Sequence, residues 1–161
     1  MQRVSKILSS RELGTVEAID RVVLDADERH RRRIVLTTDG GARVLLDLPH
    51  AVQLKDGDGL VLENGSLVRV VGKPERLIEI SAASETERLR LAWHLGNRHT
   101  DVQVIGTRLR IRRDHVLEDM LRGLGATLTV VEAPFEPEGG AYAEGHRHHG
   151  HHHHHEHEHG A

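Results

Sequence analysis

The apolar positions follow two regimes that meet near residue 73. Up to that point they form short runs, broken every few residues by turn formers. Ile34–Thr37 leads through Asp39-Gly40-Gly41 to Arg43–Leu48, and Leu60–Glu63 and Leu67–Val71 flank Asn64-Gly65. Both patterns predict hairpins, because Asn-Gly and Asp-Gly supply the positive φ that tight turns need. Asp56-Gly57-Asp58-Gly59 predicts another turn, Val16–Leu24 is mixed, and the charged stretch Asp25–Arg33 is expected to be an exposed loop or edge. No helix of useful length is expected before residue 72. Residues 1–73 therefore predict a small all-β domain.

Gly72-Lys73-Pro74 is the expected boundary, since proline interrupts strand pairing. Beyond it the periods alternate. Arg76–Ser81 reads as a strand, and Ser84-Glu85-Thr86-Glu87 fits a capping box. The helix that follows is expected to carry Leu89, Ala92, Trp93 and Gly96 on one face and to stop at Gly96-Asn97. Val102–Ile105 and Arg108–Arg112 are strands about Gly106-Thr107. Asp114 is the expected cap of a second helix bearing Val116 or Leu117, Met120, Leu121 and Leu124, with Gly125 ending it. Leu128–Val131 is the last strand. The order β-α-β-β-α-β is the ferredoxin-like arrangement, expected over residues 74–143. The fold class is thus α+β, closed by a His-rich tail over 144–161.

Composition narrows the chemistry. Trp93, Phe135 and Tyr142 are the only aromatics in 161 residues, which excludes the base-stacking platforms of common RNA-binding domains. Zero cysteines exclude disulfides, thiolate metal sites and cysteine nucleophiles. No apolar run is long enough for a membrane span, and the first residues lack a secretory signal, so the cytoplasm is the expected compartment. Lys and Arg number 22 against 25 acids, a net charge of −3, which argues against coating nucleic acid. The arginines at 29–33 and 108–113 read as solvated faces or a surface for an acidic protein.

The 15 histidines change the picture most. Ten lie in the tail: His146, His148, His149, His151, His152, His153, His154, His155, His157 and His159. The tail has no apolar face to offset ordering entropy, so it is expected to be disordered without metal. It reads as a collector of divalent ions with weak, overlapping sites, Glu156 and Glu158 adding oxygen ligands. An expression tag is the competing reading, but Arg147, Gly150 and the glutamates interrupt the block and its longest run is five. His94 and His99 are five apart and do not share a helix face. His94 reads as a packing or surface residue, whereas His99, past the helix end, is open as either a ligand or a surface residue. Asp114 caps, and His115 then reads as a first-turn surface residue. No Ser/His/Asp arrangement, phosphate-cradling loop or HExxH helix is present, and no enzyme is expected.

Three stretches together resemble a known family. HLGNRH (His94–His99), RIRRDHVLEDMLRGLGA (Arg110–Ala126) and PFEPEGGAY (Pro134–Tyr142), followed by a His-rich tail, are similar to UreE, the urease accessory protein that acts as a nickel metallochaperone. The resemblance implies an N-terminal β domain for a peptide or partner, then a metal-binding domain that forms a homodimer. It implies that His99, the last His of the GNRH motif, meets its copy at the two-fold axis to hold Ni²⁺, with tail histidines feeding or completing the site. An isologous dimer doubles every ligand at its axis, which a single imidazole needs. Some members carry His-Asp-His where this chain has Arg113-Asp114-His115, leaving His115 as a weak auxiliary ligand. The implied partners are the urease accessory GTPase and the urease apoprotein complex, with no nucleic acid and no membrane. By affinity order Cu²⁺ competes well and Zn²⁺ also binds, so nickel identity comes from the family and cellular supply. Two rival readings are a ferredoxin-like RNA- or protein-binding adaptor whose tail buffers metal, and a metal-dependent hydrolase, for which no general base can be named.

Overall fold

A computed structural model of the chain describes residues 1–139. The first elements are β1 (Gln2–Leu8), α1 (Ser10–Leu13), β2 (Asp20–Leu24), β3 (His30–Thr37), β4 (Arg43–Gln53), β5 (Gly59–Leu62) and β6 (Leu67–Gly72). Their strands form one curled sheet in the order β2-β6-β5-β1-β4-β3, with β1–β4 and β2–β6 parallel and the other pairs antiparallel. Its core is aliphatic, including Val22, Leu36, Leu46, Leu54, Leu60 and Val70 at 0–2% exposure. Each such side chain contributes about 1.5–3 kcal/mol by leaving water. The Asn64-Gly65 hairpin forms as expected, Gly65 taking φ +84.

No long helix forms in this half, as expected, while two other features, β4 and the stretch 25–33, depart from expectation. The four-residue α1 opens on a full capping box: Ser9 accepts the Glu12 N–H, and the Glu12 carboxylate accepts from Ser9. β4 runs on to Gln53 through Pro49, because four of its residues, 48–51, lie opposite Arg32 alone, an irregularity that tolerates a proline in a strand. The stretch 25–33 is not simply exposed, since β3 begins at His30 and Arg29 is fully buried.

The remaining elements are β7 (Pro74–Ser81), α2 (Glu85–Asn97), β8 (Gln103–Ile105), β9 (Arg108–Arg112), α3 (His115–Gly123) and β10 (Thr127–Pro134). They form an antiparallel sheet of order β10-β7-β9-β8, the ferredoxin-like arrangement anticipated from the sequence. Ile78, Ile80, Leu109 and Ile111 meet Leu91 and Leu95 of α2 and Leu117 and Leu121 of α3 in one core. Pro74 is the first residue of β7 and lies opposite Pro134.

The buried face of α2 is not the expected one. Leu89 and Trp93 are 65% and 64% exposed, while Leu91 and Leu95 are buried. At 100° per residue the two lines lie roughly 160° apart, so the helix is apolar on opposite sides and the sheet receives the leucine pair. On α3 the same choice falls to Leu117, with Val116 and Leu124 exposed.

Candidate metal centre

Helix α2 starts where Ser84 accepts the Glu87 N–H and runs one residue beyond Gly96 to Asn97, with Arg98 as its C-cap. His99 then turns left-handed, φ +55, and is exposed. Its N–H bonds the Gly96 carbonyl at 3.0 Å, and the Thr100 N–H reaches back to Leu95 at 3.2 Å. The backbone thus leaves the helix sharply and presents the His99 side chain outward at the end of the exposed line Leu89, Trp93, Gly96. His94 stands edge-on to Trp93, ring centroids 5.1 Å apart.

The segment after β10 lies alongside the exit from this turn. Glu138 N–H bonds the Val102 carbonyl at 2.7 Å, the Glu138 carboxylate accepts from Val104 N–H at 3.1 Å, and Glu136 N–H reaches the Gln103 side chain at 3.1 Å. The chain therefore leaves residue 139 toward its His-rich end from a place pinned three residues beyond His99.

The Arg113-Asp114-His115 triplet is built differently. Asp114 caps α3, accepting from Leu117 N–H at 3.0 Å. Glu118, 4% exposed, takes the Arg113 guanidinium at 3.0 Å and the Asp114 N–H at 3.0 Å. Arg113 is thereby tied to the helix start as a cation. His115 is almost fully exposed, with Asp119 one turn on at 3.6 Å as its one acidic neighbour in the ion-pair network. His30 hydrogen-bonds Gln53 at 2.8 Å, and among the described residues neither His30 nor His50 belongs to a group of three or more potential metal ligands.

Among the described residues no three His, Asp or Glu side chains converge as a metal site. His99 and His115 are not brought together into such a group within one protomer. The tail positions His146, His148, His149, His151–His155, His157 and His159 lie outside the described residues. The sequence reads Arg112 as part of a solvated face or a surface for an acidic protein, yet it anchors the segment that follows the His99 turn. Its guanidinium meets Asp101 at 3.0 Å, Asp27 at 2.8 Å and Glu75 at 3.5 Å, and sits 4.9 Å over the Phe135 ring. Burial works to lower its pKa, but those three carboxylates outweigh it and raise it further.

Comparison with known proteins is consistent along the chain. The family model described as the UreE urease accessory protein N-terminal domain matches residues 4–73, and that of the C-terminal domain matches 75–159. The chain is 53% identical over 144 residues to the urease accessory protein UreE of Bradyrhizobium sp. strain BTAi1, covering 89% of this chain and 69% of that protein. It is 56% identical over 129 residues to the protein of the same name from Rhodopseudomonas palustris strain HaA2, covering 80% and 60%. With that from Chelativorans sp. strain BNC1 it shares 50% over 125 residues, covering 78% and 79%.

Proposed function

The chain belongs to the UreE family of urease accessory proteins, and from that premise we propose that it is a nickel metallochaperone which captures Ni²⁺ and hands it on for assembly of the urease metal centre. The observation that carries this reading is His99, exposed at the end of the Leu89–Trp93 line. Two large exposed apolar side chains one turn apart, on a helix already buried on its other side, favour a partner. An isologous contact of α2 with α2 would bring two His99 side chains to one axis, where two imidazoles hold what one cannot. The described residues of a single protomer offer no competing cluster.

The tail would act as the collector. His146 is seven residues on from Gly139, a reach of up to about 23 Å at extended spacing, and the segment before Gly139 is pinned beside Val102–Val104. Tail imidazoles can therefore reach the His99 turn. Arg113, held by Glu118, puts a cation where some members have a histidine, so His115 is at most a weak accessory ligand. All donors are nitrogen or oxygen, which keeps the ion exchangeable. Metal loading requires neutral imidazoles and so weakens in acid. The receiver is the urease accessory GTPase acting with the urease apoprotein, and the setting is the cytoplasm. No helix among the described residues is long and apolar enough to cross a membrane.

Transfer is the direct test. Nickel-loaded full chain is mixed with the purified accessory GTPase, the two are separated by size, and nickel is measured in each. Movement of nickel to the GTPase, reduced severalfold by His99→Ala, is the expected result. Nickel that stays with the chain, or that moves equally from the variant, would favour an adaptor with a metal-buffering tail.

A further inference from the structure

His99 sits in a place that this fold otherwise gives to glycine. Helices α2 and α3 end in the same motif. After α3 the Gly125 N–H bonds Arg122 at 3.0 Å and the Ala126 N–H bonds Leu121 at 3.0 Å, with Gly125 at φ +89. After α2 the His99 N–H bonds Gly96 at 3.0 Å and the Thr100 N–H bonds Leu95 at 3.2 Å, with His99 at φ +55. In this pair of bonds the residue beyond the cap is left-handed, where a Cβ crowds the following carbonyl and glycine does not. His99 is the one non-glycine residue with positive φ among the described residues.

Such a conformation persists only where its surroundings over-determine it. Upstream, Leu95 is fully buried in the helix–sheet core. Downstream, Asp101 is held by Arg112, which is fixed in turn by Asp27, Glu75 and the Phe135 ring. The five residues between these anchors, 96–100, are thus held at both ends.

We propose that the left-handed backbone at His99 is a mount for the metal ligand. It sets the direction in which the Cα–Cβ bond leaves the helix end, and the fold accepts a loss of stability that glycine would not incur. This rests on the reading of His99 as a ligand and adds how it is presented. A side chain aimed beforehand loses less freedom on binding than one free to swing from a frayed helix end, so the mount tightens the site.

The test uses the full chain and two readouts: the thermal midpoint, and nickel quenching of Trp93, the single tryptophan, which lies two turns or less from the site. Three variants are compared, namely His99→Ala, His99→Gly and the double change Arg98→His with His99→Gly. The double change keeps an imidazole at the helix end but attaches it to the cap position, whose φ is −92 rather than positive. His99→Gly is expected to melt a few degrees above wild type while losing tight quenching. The double variant is expected to keep the raised midpoint and bind nickel at least about tenfold more weakly than wild type. Wild-type affinity in the double variant, or a midpoint for His99→Gly no higher than for His99→Ala, would overturn the mount. Unchanged quenching affinity in His99→Ala would instead overturn the ligand reading beneath it, a result that the stability comparison cannot mimic.

Discussion

Arg29 joins the two sheets through one guanidinium. It is fully buried, and its donors go to the carbonyls of Leu24 at 3.2 Å, Leu54 at 3.2 Å and Phe135 at 2.6 Å, with the Glu136 carboxylate at 3.7 Å. Removing it leaves those carbonyls unpaired in a dry joint, at about 1–3 kcal/mol for each unsatisfied group. Arg29→Met is expected to cost about 3 kcal/mol or more in a denaturant titration, and Arg29→Lys to recover only part, because an ammonium cannot span three divergent acceptors. In the sequence Arg29 looks like its neighbours Arg31, Arg32 and Arg33. Its burial depends on acceptors 25 and 106 residues away, which no local pattern encodes. Glu79 contributes to the pH dependence. Burial pushes its carboxyl up, but hydrogen bonds from Arg108 and Arg110 outweigh that and hold it below the usual carboxylate range. A carboxylate depressed in the folded state stabilises above its unfolded pKa, and this contribution is lost as pH falls through the folded value. Thermal midpoints measured from neutral pH down into the acid range should therefore fall less steeply for Glu79→Gln than for wild type, from a lower starting point.

At the scale of elements, α2 buries Leu91 and Leu95 and leaves Leu89 and Trp93 exposed, the side that the proposed dimer would use. Leu95→Ala empties a fully buried position and is expected to destabilise by about 2–5 kcal/mol in a denaturant titration. Trp93→Glu, on the opposite side, is expected to leave far-UV circular dichroism unchanged and to shift the light-scattering mass to that of a monomer. A monomeric wild type, or a Trp93→Glu chain that stays dimeric, would contradict the assignment of that stripe to a second copy. The start of α2 was legible because Ser84 must cap an otherwise unpaired N–H. Its phase was not, because Leu89/Trp93 and Leu91/Leu95 are both acceptable stripes and only contact with Ile78, Ile80 and Leu109 chooses between them. The hairpin turns were legible for a local reason, the positive φ of glycine at positions such as Gly65. The continuation of β4 through Pro49 was not, because it rests on a long-range irregularity against β3.

At the scale of the whole molecule, a β sheet is followed by the ferredoxin-like sheet, which carries the metal candidate on the outer end of one helix, and Asp27 of the first half reaches Arg112 of the second. Short turn signals and the period change at Pro74 made the α+β architecture readable from the sequence. The joint between the sheets was not, since Arg29, Arg112 and Phe135 meet only after folding. His99 was singled out by its motif, while its left-handed backbone was hidden, because a histidine after Gly-Asn-Arg carries no local mark of positive φ. The account turns on one claim, that His99 of two copies forms a single nickel site. Native mass spectrometry of the chain ending at Ala143, titrated with nickel, measures it most directly. The account predicts a dimer holding one tight Ni²⁺ per two chains and a His99→Ala dimer holding none. One tight Ni²⁺ on each chain, or undiminished binding in the variant, would contradict it.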